Sequence, residues 1–343
     1  MQIGYKQESC SKSMISEGGV SRISQFTACT NPNFDAVHRI WNDCVTNSMI
    51  PIKVVVPGTE TDVEYFAALM TALEGTSINE PCRTAAIAFL LQVIVKKVPK
   101  EVLQAQFMRT VQILYTKMLE NSEQSEGSPL KYLLSILGVV LRAQPTRVWN
   151  SASTRNIVVS VTALCAHDKP WVRTMARRVV RAVLTDPVTA MENGLHAAAS
   201  GVGMFVQQQL QAALGSKGGD MTTVRYLCLL EGVMHKMPST LFKQLAETIL
   251  KSFTIADPMV KCSALQCLYR CLQRQPCDAA LSIETNVLLV KALTQLSPPC
   301  EDVTVCAYWM QALAEAHVCL TAKDPYRYCC SNSYISSKLF PSA

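Results

Sequence analysis

Residues 167–184 read HDKPWVRTMARRVVRAVL, and this stretch shows how the whole chain is built. Asp168 and Pro170 mark a helix start, because an acidic side chain can cap free N–H groups and proline fits the first turn. Six apolar residues then recur at helical spacing and form one stripe: Val172, Met175, Ala176, Val179, Val180 and Val183. The stretch therefore predicts an amphipathic α-helix that ends near Leu184.

This helix recurs along the chain, and proline gives its register. Pro81, Pro170 and Pro258 each open an apolar helical run, with spacings of 89 and 88 residues. At the offset of 88, apolar residues align in pairs: Val172 with Val260, Ala176 with Ala264, Val179 with Cys267, Val180 with Leu268, Val183 with Cys271, and Leu184 with Leu272. The apolar stripe also falls on the apolar positions that follow Pro81. One helical unit is therefore repeated.

Other amphipathic runs lie between these three helices, so the period is about half of 88 residues. Further helices are predicted over 102–119, 130–141, 157–166, 195–214, 224–234, 241–253, 288–296 and 303–320. A hairpin of two helices about every 45 residues is the period of HEAT and armadillo-like repeats. A compact helical bundle would also contain amphipathic helices, but it gives no reason for proline-bounded units at one spacing. We predict an all-α fold, an α-solenoid of HEAT/armadillo-like hairpins.

Three regions are expected along the chain. Residues 1–30 are rich in serine and lack periodicity, which predicts a flexible leader. Residues 31–320 hold the solenoid of about six to seven hairpins, and the polar segment 321–343 is predicted to be an unstructured tail.

The composition favours a helical core inside a reducing compartment. Of the 343 residues, 49% are hydrophobic but only 7% aromatic, and the net charge of +6 is mildly basic. The fifteen cysteines follow no regular framework, and the first thirty residues contain no apolar secretory segment. No apolar run reaches the roughly 18–20 residues that span a bilayer, so no membrane contact is predicted.

The sequence shows no enzymatic signature. Phosphate-binding loops, nucleophile elbows and paired metal-binding cysteines are all absent. Cys306, His317 and Cys319 can be drawn as a metal site, but a thiol on an apolar helix face is more often a small core residue. Cys267 and Cys271 align with valines, which also indicates packing. We therefore predict no enzyme activity, no metal, no cofactor and no small-molecule substrate.

The back of the opening helix carries the densest basic cluster in the chain: Lys169, Arg173, Arg177, Arg178 and Arg181. A solvated outer face is the simplest interpretation. Yet only Arg173 aligns with a basic residue, Lys261, and we expect it to pair with Asp168 or with an acid of a neighbouring hairpin. The other three arginines align with Leu265, Gln266 and Tyr269.

The repeat therefore does not require those three arginines. Forked guanidinium donors without nearby acids suit phosphate or carboxylate groups, so RNA or an acidic protein segment is the expected ligand of this cluster. No aromatic residues are interleaved with the cations, which argues against sequence-specific reading of RNA.

Several stretches resemble the ribosomal RNA-processing protein 12 family, over about residues 31–320. The most specific is EYFAALM at 64–70. Weaker matches keep the same order along the chain: Asn31, Pro32, Phe34, Val37, Arg39 and Trp41, then Lys97, Val98 and Pro99, then His167, Lys169 and Pro170, then Glu315, Ala316, His317 and Leu320. Members of that family are several times longer, so the resemblance covers the family's N-terminal HEAT region and suggests a truncated product.

The resemblance implies a nuclear and nucleolar factor for pre-rRNA processing and for assembly and nuclear export of pre-ribosomal subunits. Its expected partners are pre-ribosomal RNA and ribosome assembly factors, together with a small GTPase or export machinery. The alternative is a HEAT-repeat cargo adaptor or nuclear transport receptor without an RNA role.

Overall fold

The computed structural model describes residues 61–121, 129–191, 194–216, 218–254, 257–274, 283–296 and 302–321. The expected leader, the residues from 31 to 60 at the start of the expected solenoid and the expected tail beyond residue 321 lie outside these ranges. Thirteen α-helices occupy the described ranges: α1 (Asp62–Glu74), α2 (Pro81–Ile94), α3 (Lys100–Ala105), α4 (Phe107–Glu120), α5 (Leu130–Arg142), α6 (Ala152–Ala163), α7 (Pro170–Leu184), α8 (Ala199–Leu214), α9 (Asp220–Val233), α10 (Ser239–Lys251), α11 (Pro258–Arg274), α12 (Ile283–Gln295) and α13 (Val303–Thr321).

The helices form consecutive hairpins in two layers. Within the described ranges six hairpins follow one another: α1 with α2, α4 with α5, α6 with α7, α8 with α9, α10 with α11, and α12 with α13. The second helices α2, α5, α7, α9, α11 and α13 pack side by side in chain order, and α6, α8, α10 and α12 do the same on the other side. This confirms the predicted all-α solenoid. No helix among the described residues is long and apolar enough to cross a membrane.

Local signals explain where the helices begin. Helices α2, α7 and α11 open at Pro81, Pro170 and Pro258, as the repeat register predicts. Helix α1 is the 64–70 stretch with its flanks, and a reciprocal capping box starts it. The Thr61 amide donates to Glu64 Oε2 at 2.6 Å, and the Glu64 amide donates to Thr61 Oγ1 at 3.4 Å.

The apolar stripe of α7 is buried, as predicted. The buried residues of this helix are Val172, Met175, Ala176, Val179, Val180, Val183 and Leu184. In α11, Cys267 and Cys271 occupy the positions equivalent to Val179 and Val183. Both are free thiols that are almost wholly buried. Burial raises the pKa of both thiols, so they remain protonated and pack as small apolar residues.

The start of α7 differs from the prediction. Its N-cap residue is Lys169, and no side chain caps the helix. The Asp168 carboxylate instead accepts a hydrogen bond of 3.0 Å from the Arg225 guanidinium of α9. The predicted cap at Asp168 is therefore wrong: the helix begins at Pro170 with Lys169 as N-cap, so Asp168 lies one residue too early, and its exposed carboxylate pairs with Arg225 instead.

Several helices have limits that differ from those predicted: α6 begins at Ala152 rather than residue 157, α9 at Asp220 rather than residue 224, and α12 at Ile283 rather than residue 288. Two others are divided or shortened. The predicted helix over 102–119 is divided into α3 and α4 at Gln106, whose backbone leaves helical geometry. The predicted helix over 195–214 begins only at Ala199. His196 precedes it, pairs with Ala190 in an isolated β-bridge, and accepts the Ala198 N–H on Nδ1 at 3.1 Å.

Long side chains tie neighbouring hairpins together at helix ends. The buried Lys117 ammonium of α4 donates to the Thr76 carbonyl beyond α1 at 2.6 Å. Arg225 of α9 donates to the Ala166 carbonyl beyond α6 at 2.7 Å. Each cation donates to a main-chain carbonyl at the end of a helix in the preceding hairpin, where no helical hydrogen bond is available. These contacts therefore help to fix the spacing between hairpins.

A glycine permits the close approach of α5 and α7. A Cβ atom at Gly138 of α5 would lie 2.9 Å from Val179 Cγ2 of α7, which is shorter than real Cβ contacts. Val179 is β-branched and buried, so it has little freedom to move away. The absence of a side chain at Gly138 therefore sets this helix–helix distance.

We expect Gly138→Ala to lower the urea midpoint of unfolding, measured by circular dichroism. Overpacking costs about 1–3 kcal/mol, which outweighs the roughly 1 kcal/mol that alanine gains in a helix. Val179→Ala removes the opposing methyl groups. The double variant Gly138→Ala/Val179→Ala should therefore lose less unfolding free energy than the two single variants lose when their losses are added. Gly201→Ala in α8 is the control, because its nearest side-chain atom is 3.4 Å away. A Gly138→Ala midpoint equal to wild type contradicts the packing argument.

Candidate functional site

An open groove lies between α7 and α9 and extends to the end of α11. Its volume is about 280 Å³. Four arginines and one acid are among the lining residues, which are Thr174, Arg177, Arg178, Arg181, Cys228, Leu229, Glu231, Gly232 and Arg274. We call it the arginine groove.

The groove exists because α7 and α9 are less closely packed than their neighbours. Along the second-helix layer, α5 lies close against α7 and α9 lies close against α11, whereas α7 and α9 share fewer close approaches. Arg177 of α7 aligns with Leu265 of α11, and Leu265 is fully buried. A guanidinium group in place of that leucine cannot be buried without a partner, so the helices stay apart and the charge faces the groove.

Three arginines of α7 line one wall of the groove. Arg177 is half-buried, and its Nε donates a weak bond of 3.4 Å to the Arg173 carbonyl. Arg178 and Arg181 are exposed, and within the described part of the chain no hydrogen bond or ion pair holds either guanidinium. The stem of Arg181 lies on Gly232 of α9, where an added Cβ would be 3.4 Å from Cδ. These donors are therefore available to a ligand.

The other two predicted site residues do not line the groove. Arg173 Nη1 donates to the main-chain carbonyls of His167 and Asp168 at 2.8 and 2.7 Å. Its expected partnership with Asp168 thus uses the carbonyl rather than the carboxylate. Lys169 Nζ lies 5.9 Å from the centre of the Trp171 ring. Arg173 thus supports the start of α7 and Lys169 lies beside Trp171, whereas only Arg177, Arg178 and Arg181 of the predicted cluster line the groove.

Arg274 and Glu231 complete the groove, and sequence reasoning did not identify either as a site residue. Arg274 of α11 donates to the Glu231 carbonyl of α9 at 2.6 Å, across 43 residues of chain. Arg270 Nε lies 3.9 Å from Glu231 Oε1. Arg274 lies at the end of the repeated helix that Pro258 opens, and Glu231 lies in the preceding hairpin. The spacing of one repeat between Glu231 and Arg274 is the signal that points to their contact.

The charge of the groove does not depend on pH in the neutral range. Arginine side chains remain protonated in proteins. Burial, together with the nearby cations Lys236, Arg274 and Arg181, lowers the pKa of His235 to about 4, so its ring is neutral. Burial also raises the pKa of the Cys228 thiol, although Arg177 opposes this shift. The groove therefore presents several permanent positive charges, one carboxylate and a neutral thiol.

This arrangement suits binding of anions rather than catalysis. Forked guanidinium donors recognise the oxygens of phosphate or carboxylate groups. The described ranges contain no group of three His, Cys, Asp or Glu side chains that could hold a metal ion, and this includes the region of Cys306, His317 and Cys319.

Comparison with known proteins identifies one family of helical repeat proteins. A family model described as "RRP12-like, N-terminal HEAT repeats" matches residues 59–275. The RRP12-like proteins of Gallus gallus and Homo sapiens are each 29% identical to this chain, over 308 and 307 residues, and both alignments cover 86% of it. That of Drosophila melanogaster is 23% identical over 279 residues, or 76% of the chain. The alignments span only 24%, 23% and 20% of these relatives, so the chain corresponds to less than a quarter of their lengths.

We expect substitutions in the basic cluster to divide into two classes of stability effect. Arg173→Ala should lower the free energy of unfolding by about 1–2 kcal/mol, because two main-chain carbonyls lose a charged donor. Arg178→Ala should change it by less than about 0.5 kcal/mol, because its guanidinium is exposed and unpartnered. Urea unfolding followed by circular dichroism compares the two variants. Equal losses would show that the two side chains do not have the separate roles described above.

Proposed function

Because this chain belongs to the RRP12-like family, we propose that it acts as a non-catalytic scaffold in ribosome biogenesis. In this role it binds RNA and protein partners of a pre-ribosomal particle during pre-rRNA processing, subunit assembly and nuclear export. The family match over residues 59–275 supports the setting, and the arginine groove supports the RNA contact.

The observation that carries the RNA contact is that four guanidinium groups line one groove, and that two of them, those of Arg178 and Arg181, have no hydrogen bond or ion pair among the described residues. Arg177, Arg178 and Arg181 extend from α7, and Arg274 faces them from α11. Donors from two helices can hold successive phosphates of an extended strand, as the arginines of a phosphate-binding surface do. The repeat itself does not require cations at the three α7 positions, which favours a role in binding.

The groove suits the nucleic-acid backbone rather than the bases. No aromatic side chain is among the described residues that line it. Base-specific recognition of single strands normally uses aromatic stacking, so the expected binding is independent of sequence. Phosphate contacts of this kind give affinity that falls with salt concentration.

The remaining surfaces of the two-layer array are proposed to contact ribosome assembly factors. Solenoids expose long continuous surfaces, and each hairpin adds to them. The corresponding location is the nucleus and nucleolus, with a small GTPase or export machinery as further partners. The RRP12-like relatives motivate these proposals, and the chain spans less than a quarter of their lengths.

We expect the triple variant R177E/R178E/R181E to bind single-stranded RNA at least tenfold more weakly than wild type. Reversing three charges removes the phosphate donors and adds repulsion. For wild type, log affinity should fall against log salt with a slope of about 0.7 per phosphate contact, and the variant should show a smaller slope. Fluorescence anisotropy with a labelled oligonucleotide at several salt concentrations measures both quantities.

The matched control is K96E/K97E/K100E, which reverses three exposed cations near the connection between α2 and α3. It has the same net charge as the triple arginine variant, so an effect of overall charge would weaken both equally. Unchanged affinity and slope in R177E/R178E/R181E would refute the groove as the RNA site. Co-purification then separates the alternative: cargo and a small GTPase without RNA would indicate a transport receptor.

A further inference from the structure

The arginine groove contains one carboxylate that phosphate binding alone does not explain. Glu231 is the only acid among the described residues that line it. Its side chain is 29% exposed, so it is neither buried in the core nor fully solvated. A negative charge beside a phosphate site weakens phosphate binding by repulsion. Its presence in the groove therefore suggests a role with another part of the ligand.

Glu231 is held in place while its carboxylate stays available. Its main-chain carbonyl accepts the 2.6 Å bond from Arg274, which fixes the backbone at this point. Its carboxylate forms a long ion pair with Arg270, with 3.9 Å between Nε and Oε1, which is beyond hydrogen-bond distance. Across the described ranges, no hydrogen bond to this carboxylate is found. Both oxygens can therefore accept from a ligand.

An ionised carboxylate only accepts hydrogen bonds, so the ligand must supply a donor next to its phosphates. In the sugar-phosphate backbone of a nucleic acid, the ribose 2′-hydroxyl is the group that can do so, and DNA lacks it. The absence of aromatic side chains from the described lining makes the backbone the recognised part of the strand. The lining, with one acid among four arginines, thus offers the groups that a ribose beside its phosphates requires.

We propose that Glu231 reads the ribose: its carboxylate accepts from a 2′-hydroxyl while Arg177, Arg178, Arg181 and Arg274 hold the adjoining phosphates. The groove then prefers RNA to single-stranded DNA without reading sequence. This inference rests on the proposed RNA contact and adds the feature that selects the class of nucleic acid. A hydrogen bond to a charged acceptor gives about tenfold discrimination or more.

Three labelled oligonucleotides of one sequence test the inference: RNA, DNA and 2′-fluoro RNA. The 2′-fluoro strand keeps the bases and the RNA-like sugar pucker but has no 2′ donor. The wild-type chain should bind RNA about tenfold more tightly than either of the other two. In Glu231→Ala all three affinities should be equal within about twofold. Glu231→Gln keeps a carbonyl acceptor without the charge, so it should bind all three more tightly and retain a smaller preference for RNA.

Glu247→Ala in α10 is the matched control, because it removes a partly exposed acid outside the groove and should keep the full preference. Equal wild-type affinity for RNA and 2′-fluoro RNA, or an unchanged preference in Glu231→Ala, overturns the assignment of Glu231. If R177E/R178E/R181E loses RNA binding while Glu231→Ala keeps the preference for RNA over DNA and 2′-fluoro RNA, the role of Glu231 is refuted and the RNA contact of the arginines is not. If the arginine variant binds RNA as wild type does, the proposed RNA contact fails as well.

Discussion

Burial of one hairpin's apolar stripe against the next hairpin is the constraint on which the rest of this structure depends. The stripe of α7 is buried because α5 lies against it at van der Waals distance, and Gly138 makes that approach possible. Two helices alone bury too little apolar surface, so each hairpin relies on its neighbours for a core. The two continuous helical layers follow from this dependence.

At the arginine groove, one hairpin packs less closely against the next than elsewhere in the second-helix layer. At Arg177 the chain places a cation where the equivalent position of α11 buries Leu265, and α7 and α9 separate. Charged ties replace part of the missing apolar contact: Arg225 reaches back to the Ala166 carbonyl and to the Asp168 carboxylate. The looser packing of α7 against α9 is therefore what opens the groove, while α5 against α7 and α9 against α11 remain closely packed on either side.

The sequence predicts the parts of this molecule that depend on local signals. Proline fixes the starts of α2, α7 and α11, and the period of apolar residues identifies which face is buried. Asp168 shows what local signals do not predict. Its carboxylate binds Arg225, which is 57 residues away in the sequence, and no local pattern indicates that contact. Arg274 and Glu231 show it again: their contact depends on how far one hairpin is displaced along its neighbour. Within the basic cluster, position along the helix did not separate Arg173, which supports the main chain, from the arginines of the groove.

The position of Arg181 beside Gly232 affects the conformational entropy of the arginine side chain. A long arginine side chain in water samples many rotamers, and ordering it on a ligand costs up to about 2 kcal/mol. The stem of Arg181 passes beside Gly232, within van der Waals reach of where a side chain would begin, so the facing helix already excludes some of its rotamers. The absence of a side chain at Gly232 leaves room for that stem, while the guanidinium at its end stays exposed.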